Sequence, residues 1–302
     1  MIRCALLELF FPGAGHALSG SLARAIGWLA ATVAIFAAML WTPWVVWLAI
    51  VARLVSIVHV AWCVRRRPER WAWKPMLLVG AVALGTFTAA RQLAFEGFKI
   101  PSASMVPTLK IDDLIMTDKL SLRWRAPERG EVIVFWRVPG RAFVSRVIAV
   151  GGDTVAVTGG VVHVNGRALP RREVGPTTYL DRNDVSGVTT EQAHAWIEEL
   201  GGHTYRVQSR SRAWNTEQSD YPLPGNEDCA LRGRPDDGVP LEPVTDGCRV
   251  PPGTLFVMGD NRENSADSRY WGAVRVDAVI GRVTGIWFGG IEGRWSRMGA
   301  ID

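Results

Sequence analysis

Four short stretches concentrate the residues able to do chemistry. The first, Ile100–Leu109 (IPSASMVPTL), sets Ser102 and Ser104 between Pro101 and Pro107. A lone serine in a proline-bounded turn is a loop residue. Two serines on a backbone stiffened at both ends suit a reaction in which one hydroxyl attacks a carbonyl while its neighbour donates to the oxyanion. The second and third stretches are Arg129–Phe135 (RGEVIVF) and Val144–Asp153 (VSRVIAVGGD). The fourth is Phe256–Gly272 (FVMGDNRENSADSRYWG), whose Asp260, Arg262, Asp267 and Arg269 are too dense for an ordinary exposed turn. Of the 34 basic residues only Lys74, Lys99, Lys110 and Lys119 are lysines. Chemistry that needs a deprotonated amine has only those four to use, because guanidinium stays protonated.

The elements that must position these residues are short strands. Glu131–Phe135, Phe143–Val150, Thr154–Val157 and Val161–Val164 are β-branched or aromatic runs. Pro139–Gly140, Gly151–Gly152–Asp153, Gly159–Gly160 and Asn165–Gly166 punctuate them. That spacing predicts an all-β barrel or sandwich rather than βαβ units. Thr190–Leu200 is expected to be a brief helix, and residues 165–250, richer in Pro, Gly and charge, an inserted loop-rich lobe.

Before residue 95 the pattern is different. Ala25–Trp41 is 17 residues without a charge, Trp44–Val64 is 21 residues whose only charge is Arg53, and Pro75–Ala90 is a third apolar run. A bilayer core takes about 20 apolar residues of helix, range roughly 17–25, so residues 1–94 are expected to be a membrane region of about three helices. A cleaved secretory signal would have a single apolar core. The cluster Arg65–Lys74 joins the second and third runs and belongs on the cytoplasmic side, with Arg3 and Arg24 placing the N-terminus there too. Three spans then put residues 95–302 outside the cytoplasm. Arg53, in mid-span, is expected to face a partner helix, and Phe11–His16 (FPGAGH) to be a structural turn.

Hydrophobic residues make up 48% of the 302 and charged residues 21%, which excludes disordered and collagen-like classes. The net charge of +5 comes with no basic run interleaved with stacking aromatics, so nucleic acid is not an expected partner. Cys4 and Cys63 lie at or within the apolar runs. Cys229 and Cys248 have no nearby His or Cys to complete a zinc site. In an oxidising compartment they are expected to form a disulfide worth about 3 kcal/mol, the alternative being two free thiols.

In order and content the four stretches resemble bacterial type I signal peptidase, the membrane-anchored Ser/Lys endopeptidase that removes signal peptides from exported proteins. The resemblance runs over residues 95–290, and the fourth stretch carries it most strongly. It implies that Ser104 is the nucleophile and that Ser102, with the Ser104 backbone N–H, forms the oxyanion hole. It also implies that Ser265 helps to orient the general base, and that Asp260, Arg262, Asp267 and Arg269, with Arg146, brace the site. Phe98, Ile100, Met105, Phe143 and Val144 match positions lining shallow pockets for small side chains. The implied substrates carry Ala-x-Ala-like ends, bound in extended form beside a strand edge. The implied fold is a mainly β catalytic core with a smaller inserted lobe, in the bacterial cytoplasmic membrane. Signal peptides of preproteins and the lipid bilayer are the implied partners, with no cofactor and no metal.

One position departs from the resemblance. The residue before Arg146 should be the general-base Lys, or His in the endoplasmic-reticulum branch, and Ser145 stands there. A serine hydroxyl is a poor nucleophile until a base takes its proton, and a desolvated Lys does this where a Ser cannot. Positioned proton transfer contributes about 10²–10⁴-fold, so impairment is expected unless a base arrives from elsewhere. Lys99 lies five residues before Ser104, an odd offset that faces the other way along an extended segment. Lys110 and Lys119 flank an expected strand, and His163 and His203 belong to the polar lobe. Two readings follow: a signal peptidase that is weak or uses another base, and a pseudopeptidase that binds signal peptides or a membrane partner without turnover. A lipid hydrolase would need a G-x-S-x-G elbow, which Met105 and Pro107 exclude.

Overall fold

A computed structural model describes residues 16, 22–38, 51–52, 54–60, 62, 95–138, 140–183, 187–210, 238–245, 247–290 and 295–301. The chain divides into two compact units, Met1–Glu96 and Gly97–Asp302. In the first, Leu22–Ala38 forms a 17-residue helix. The rings of His16, Trp28 and His59 gather there with centroids 4.9–6.2 Å apart. Among the described residues no helix is long and apolar enough to cross a membrane. Arg53 and the run Pro75–Ala90 lie outside the described residues, as do parts of the other two runs.

The second unit is mainly β. Its strands are β1 (Phe95–Lys99), β2 (Leu114–Asp118), β3 (Val132–Val138), β4 (Arg141–Val150), β5 (Thr154–Thr158), β6 (Val161–Val164), β7 (Arg167–Ala168) and β8 (Arg171–Asn183). They continue as β9 (Gly187–Leu200), β10 (His203–Ser209), β11 (Glu242–Val244), β12 (Gly247–Arg249), β13 (Thr254–Met258), β14 (Val274–Arg275), β15 (Val279–Phe288) and β16 (Gly299–Ala300). The largest sheet has eight strands in the order β1-β2-β15-β3-β4-β13-β14, with β16 on β15. A five-stranded sheet runs β11-β12-β5-β6-β7, and a three-stranded sheet runs β10-β9-β8.

The centre of the large sheet explains why EVIVF is apolar without alternation: β3 is covered on both faces. Val132 and Val134 join Ile100, Met105, Leu109 and Ile115 on one side. Ile133 and Phe135 join Val147, Leu255, Val257 and Trp271 on the other. The strands expected in residues 131–164 appear where the turn residues bracket them, and Asn165 (φ 53°) and Gly166 (φ 72°) make the tight connection of β6 to β7.

Two expectations are corrected. Thr190–Leu200 is not a helix but most of β9, a 14-residue strand paired to β8 and β10. The segment is rich in helix formers (Glu, Gln, Ala, Leu), but pairing on both sides and the burial of Ala193, Ala195, Trp196 and Glu198 decide otherwise. Nor is the first half of the inserted lobe loop-rich, since residues 171–209 form long antiparallel strands. Its Gly175–Pro176 pair sits at a register shift in β8, an edge strand, where a missing N–H is tolerated. Cys248 is buried and disulfide-bonded, and Cys229 lies outside the described residues.

The three-stranded sheet is tied to the turn before β2 by an ion pair. Arg182 on β8 donates to Asp112 at 2.7 Å, and Lys99 lies 2.9 Å from the same carboxylate. The hydrogen bonds from Arg182 and Lys99 hold the Asp112 carboxyl down at about 2, against an ordinary 3.8. A folded-state pKa below the unfolded one makes its stabilisation complete above the unfolded value, and the stabilisation is lost as pH falls through the folded value. The difference in unfolding free energy between the parent and Asp112→Asn should therefore be constant above the ordinary carboxylate range and shrink between pH 3.8 and about 2. Urea titrations over that window check it, and a difference that does not depend on pH would refute it.

Candidate functional site

The four stretches meet around one buried ion pair. Arg146 on β4 donates Nε to Asp260 Oδ1 at 2.9 Å and an Nη to Oδ2 at 2.8 Å, with both side chains essentially unexposed. The remaining guanidinium nitrogen donates to the Gly130 carbonyl at 2.7 Å. The Thr108 hydroxyl donates to Asp260 Oδ2 at 2.5 Å, and the Arg146 guanidinium lies 3.8 Å from the Tyr205 ring centroid. Such a bidentate, charge-assisted pair fixes orientation as well as energy. The second and third stretches are joined again where Arg129 donates to Asp153 at 2.6 and 2.7 Å. Burial pushes the Asp153 carboxyl up, but the hydrogen bonds from Arg129, the Val150 N–H and Asn165 outweigh it and hold it low.

The nucleophile candidate hangs from this frame by its backbone. The Asn261 N–H donates to the Ser104 carbonyl at 3.0 Å, and the Asn261 side-chain amide to the Ala103 carbonyl at 3.0 Å. Ser102 Oγ and Ser104 Oγ are 3.2 Å apart, on the outer side of the segment, where Ser102 is exposed and Ser104 half-buried. Gly259 makes the close approach possible: a Cβ there would lie 2.3 Å from Ser265 Oγ and 2.5 Å from the Ser104 carbonyl oxygen. The register Val257↔Val147, Met258↔Arg146 leads Gly259 towards Ser145. The Ser104 backbone and the Ser265 side chain thus meet at one glycine.

The other polar residues of the fourth stretch form braces. Asp267 accepts from Arg269 at 2.8 Å through both oxygens and from the Gly259 N–H at 3.0 Å. Arg269 also donates to the Arg262 carbonyl. Arg262 pairs with Glu198 of β9 at 2.5 and 3.2 Å, and both side chains are buried. The Gln208 N–H of β10 donates to the Asp260 carbonyl at 2.9 Å. The site is therefore held from the large sheet on one side and from the three-stranded sheet on the other.

Four of the five pocket candidates come together: Phe98, Ile100, Met105 and Val144 pack in one cluster. Phe143 does not join them. Alternation along β4 turns it to the opposite face, against Phe135 at 6.2 Å between centroids and the Trp271 cluster. Ser145 is buried, and its hydroxyl donates to the Val144 carbonyl at 2.8 Å, its one side-chain hydrogen bond among the described residues. Among the described residues the Ser104 hydroxyl bonds to Ser102 alone.

Among the described residues no hydrogen bond joins any of the alternative bases to Ser104. Lys99 is 63% exposed on Asp112, and Lys110 lines a cavity behind the segment Val106–Thr108. His163 Nδ1 lies 3.1 Å from the Val161 carbonyl, and His203 packs over Gly130. Lys119 follows β2, whereas Ser102 and Ser104 lie in the turn segment between β1 and β2. No group of three or more His, Cys, Asp or Glu among the described residues could hold a metal ion.

Sequence reasoning missed Thr108, Glu198, Asn261 and Gly259. Thr108, Asn261 and Gly259 lie inside the quoted stretches, and density of polar residues was the available signal. Glu198 carried no signal, since its partner is 64 residues away.

Comparison with known proteins adds a family. The family described as "Signal peptidase, peptidase S26" matches residues 70–288. Signal peptidase I of Bacillus caldolyticus is 27% identical over 218 residues, covering 72% of this chain and 89% of its own. Signal peptidase I of Aquifex aeolicus is 32% identical over 214 residues, covering 66% and 78%. A solved signal peptidase I from Enterococcus faecalis aligns at 22% identity with a TM-score of 0.25, covering 53% of this chain and 98% of that one.

The Arg262–Glu198 brace is directly testable. Glu198→Ala leaves a buried guanidinium without its carboxylate and should lower unfolding free energy by about 3–5 kcal/mol in urea titration. Asp277→Ala, which breaks the exposed Arg275–Asp277 pair, should leave the titration unchanged. Equal effects of the two substitutions would show that the brace is not buried as described.

Proposed function

The chain belongs to the peptidase S26 family of signal peptidases, and on that premise we propose that its second unit is a serine endopeptidase that removes signal peptides, with Ser104 as nucleophile. The observation that carries this reading is the Ser102–Ser104 hydroxyl pair, 3.2 Å apart and held by Asn261 on the Arg146–Asp260 frame. Ser104 Oγ attacks the scissile carbonyl. The Ser104 N–H and the Ser102 hydroxyl receive the negative charge that develops on its oxygen. The cluster of Phe98, Ile100, Met105 and Val144 takes small side chains, which suits an Ala-x-Ala-type end lying extended beside the sheet. The unit works outside the cytoplasm, anchored in the bacterial cytoplasmic membrane by the apolar runs before residue 95, and the Arg65–Lys74 cluster supports that orientation.

The proton is where this site is weak. In our reading Ser145 occupies the general-base position, and its hydroxyl, spent on the Val144 carbonyl, takes no proton from Ser104. That observation favours a second reading, a pseudopeptidase that keeps the cleft and holds signal peptides without cutting them. Ser102 and Ser104 themselves favour the enzyme, since a binder has no use for an oxyanion donor beside a nucleophile.

The test is cleavage of an Ala-x-Ala precursor by the full chain in detergent. Ser145→Lys should raise the rate by about 10²–10⁴-fold over the parent, and Ser104→Ala should abolish what the parent retains. A parent that binds the precursor but cuts no faster than Ser104→Ala would be a pseudopeptidase. A folded Ser145→Lys protein that leaves the precursor intact would sink the proposed roles of both serines.

A further inference from the structure

Asn261 holds the Ser104 segment by its carbonyls, and a second set of contacts supports its buried side. Ala103, between the two serines, is 1% exposed. With Val106 and Ile111 it packs in one cluster with Tyr179 of β8 and Ala193 of β9. The segment that carries the nucleophile therefore rests on the three-stranded sheet. Two residues further along β8, on the same face as Tyr179, the Asp181 carboxylate accepts from the Asn264 side-chain amide at 2.8 Å. Asn264 precedes Ser265, and its backbone N–H donates to the Asn261 carbonyl at 3.0 Å. One strand thus supports both the Ser104 segment and the Ser265 turn.

Arg210 joins these two supports. It follows β10 and reaches across β9 to β8, at the other edge of the sheet. Its Nε donates to the Tyr179 hydroxyl at 3.0 Å, and an Nη donates to Asp181 at 3.0 Å. Glu191 of β9 lies 4.0 Å from the same Nε. The guanidinium is a rigid fork, so it holds the phenol and the carboxylate at a set separation. Its side chain is 45% exposed, and an ion pair so placed adds little stability. What it adds is geometry.

We propose that Arg210, Tyr179 and Asp181 are positioning residues. They form a strap across the three-stranded sheet that keeps the Ser104 segment in register with the Ser265 turn. Its catalytic consequence rests on the reading of Ser104 as nucleophile. A reacting group misplaced by about 1 Å loses on the order of 100-fold in rate, so a strap remote from substrate acts on the chemical step.

Amide hydrogen exchange on the full chain in detergent tests the strap without any turnover. The reporters are the Val106 and Asn264 N–H groups, which donate to the Ala103 and Asn261 carbonyls at 3.2 and 3.0 Å. Arg210→Gln should speed their exchange by roughly tenfold and leave the amides of β3 as in the parent. Kinetics on the Ser145→Lys protein then test the consequence. Adding Arg210→Gln should lower kcat by about 10- to 100-fold and change KM by less than about twofold. Asp181→Ala should do the same, and the two together should cost little more than either alone. Unchanged exchange in folded Arg210→Gln overturns the strap. Faster exchange with kcat unaltered, or losses that simply multiply in the double variant, overturns its positioning role. A Ser145→Lys protein that cuts nothing would instead refute the catalytic reading, and exchange alone would then decide the strap.

Discussion

Neither Asp260 nor Arg146 could leave water alone. Withdrawing each ion costs several kcal/mol, and their attraction offsets that only when geometry is good and the leftover donors and acceptors are met. Here they are met. Two parallel bonds join the ions, Thr108 donates to the carboxylate, and the Gly130 carbonyl takes the remaining guanidinium nitrogen. Each of those partners lies in a different part of the chain, so satisfying one buried charge forces four remote segments into one arrangement. The placement of Ser104 follows from it, because Asn261, next to Asp260, holds the serine's carbonyl.

This frame is complete without any contribution from residue 145. The Ser145 side chain closes on its own neighbour's carbonyl, and the braces Arg269–Asp267 and Arg262–Glu198 do not involve it. A proton acceptor at 145 would therefore be an addition to the scaffold rather than a part of it. Physically, catalytic competence and structural integrity are separable here. That is why the Ser102–Ser104 arrangement can persist whether or not the chain turns over substrate.

How much of this was legible beforehand depended on the range of the interaction. In residues 131–164 the β-branched runs and the Gly and Asn turns are local, and the strands were readable almost to their ends. The four stretches were readable as a set because they are compact in sequence. Thr190–Leu200 was not, because its composition suits a helix, and pairing with β8 and β10 together with the remote Arg262–Glu198 contact makes it a strand. Phe143 shows a subtler limit: a position can match a motif while strand alternation sends its ring to the other face of the sheet.

The pairing of β12 with β5 brings Cys248 opposite Val155, so the chain returns beside the strand from which it departed. Everything between those strands is an excursion with adjacent ends. Its early part is committed to the site through Glu198 and Gln208. The excursion thus works as a clasp: with both ends fixed side by side in the five-stranded sheet, it reaches across to grip the turn at Asp260, so the serines are held by a closed circuit of structure rather than by an open arm.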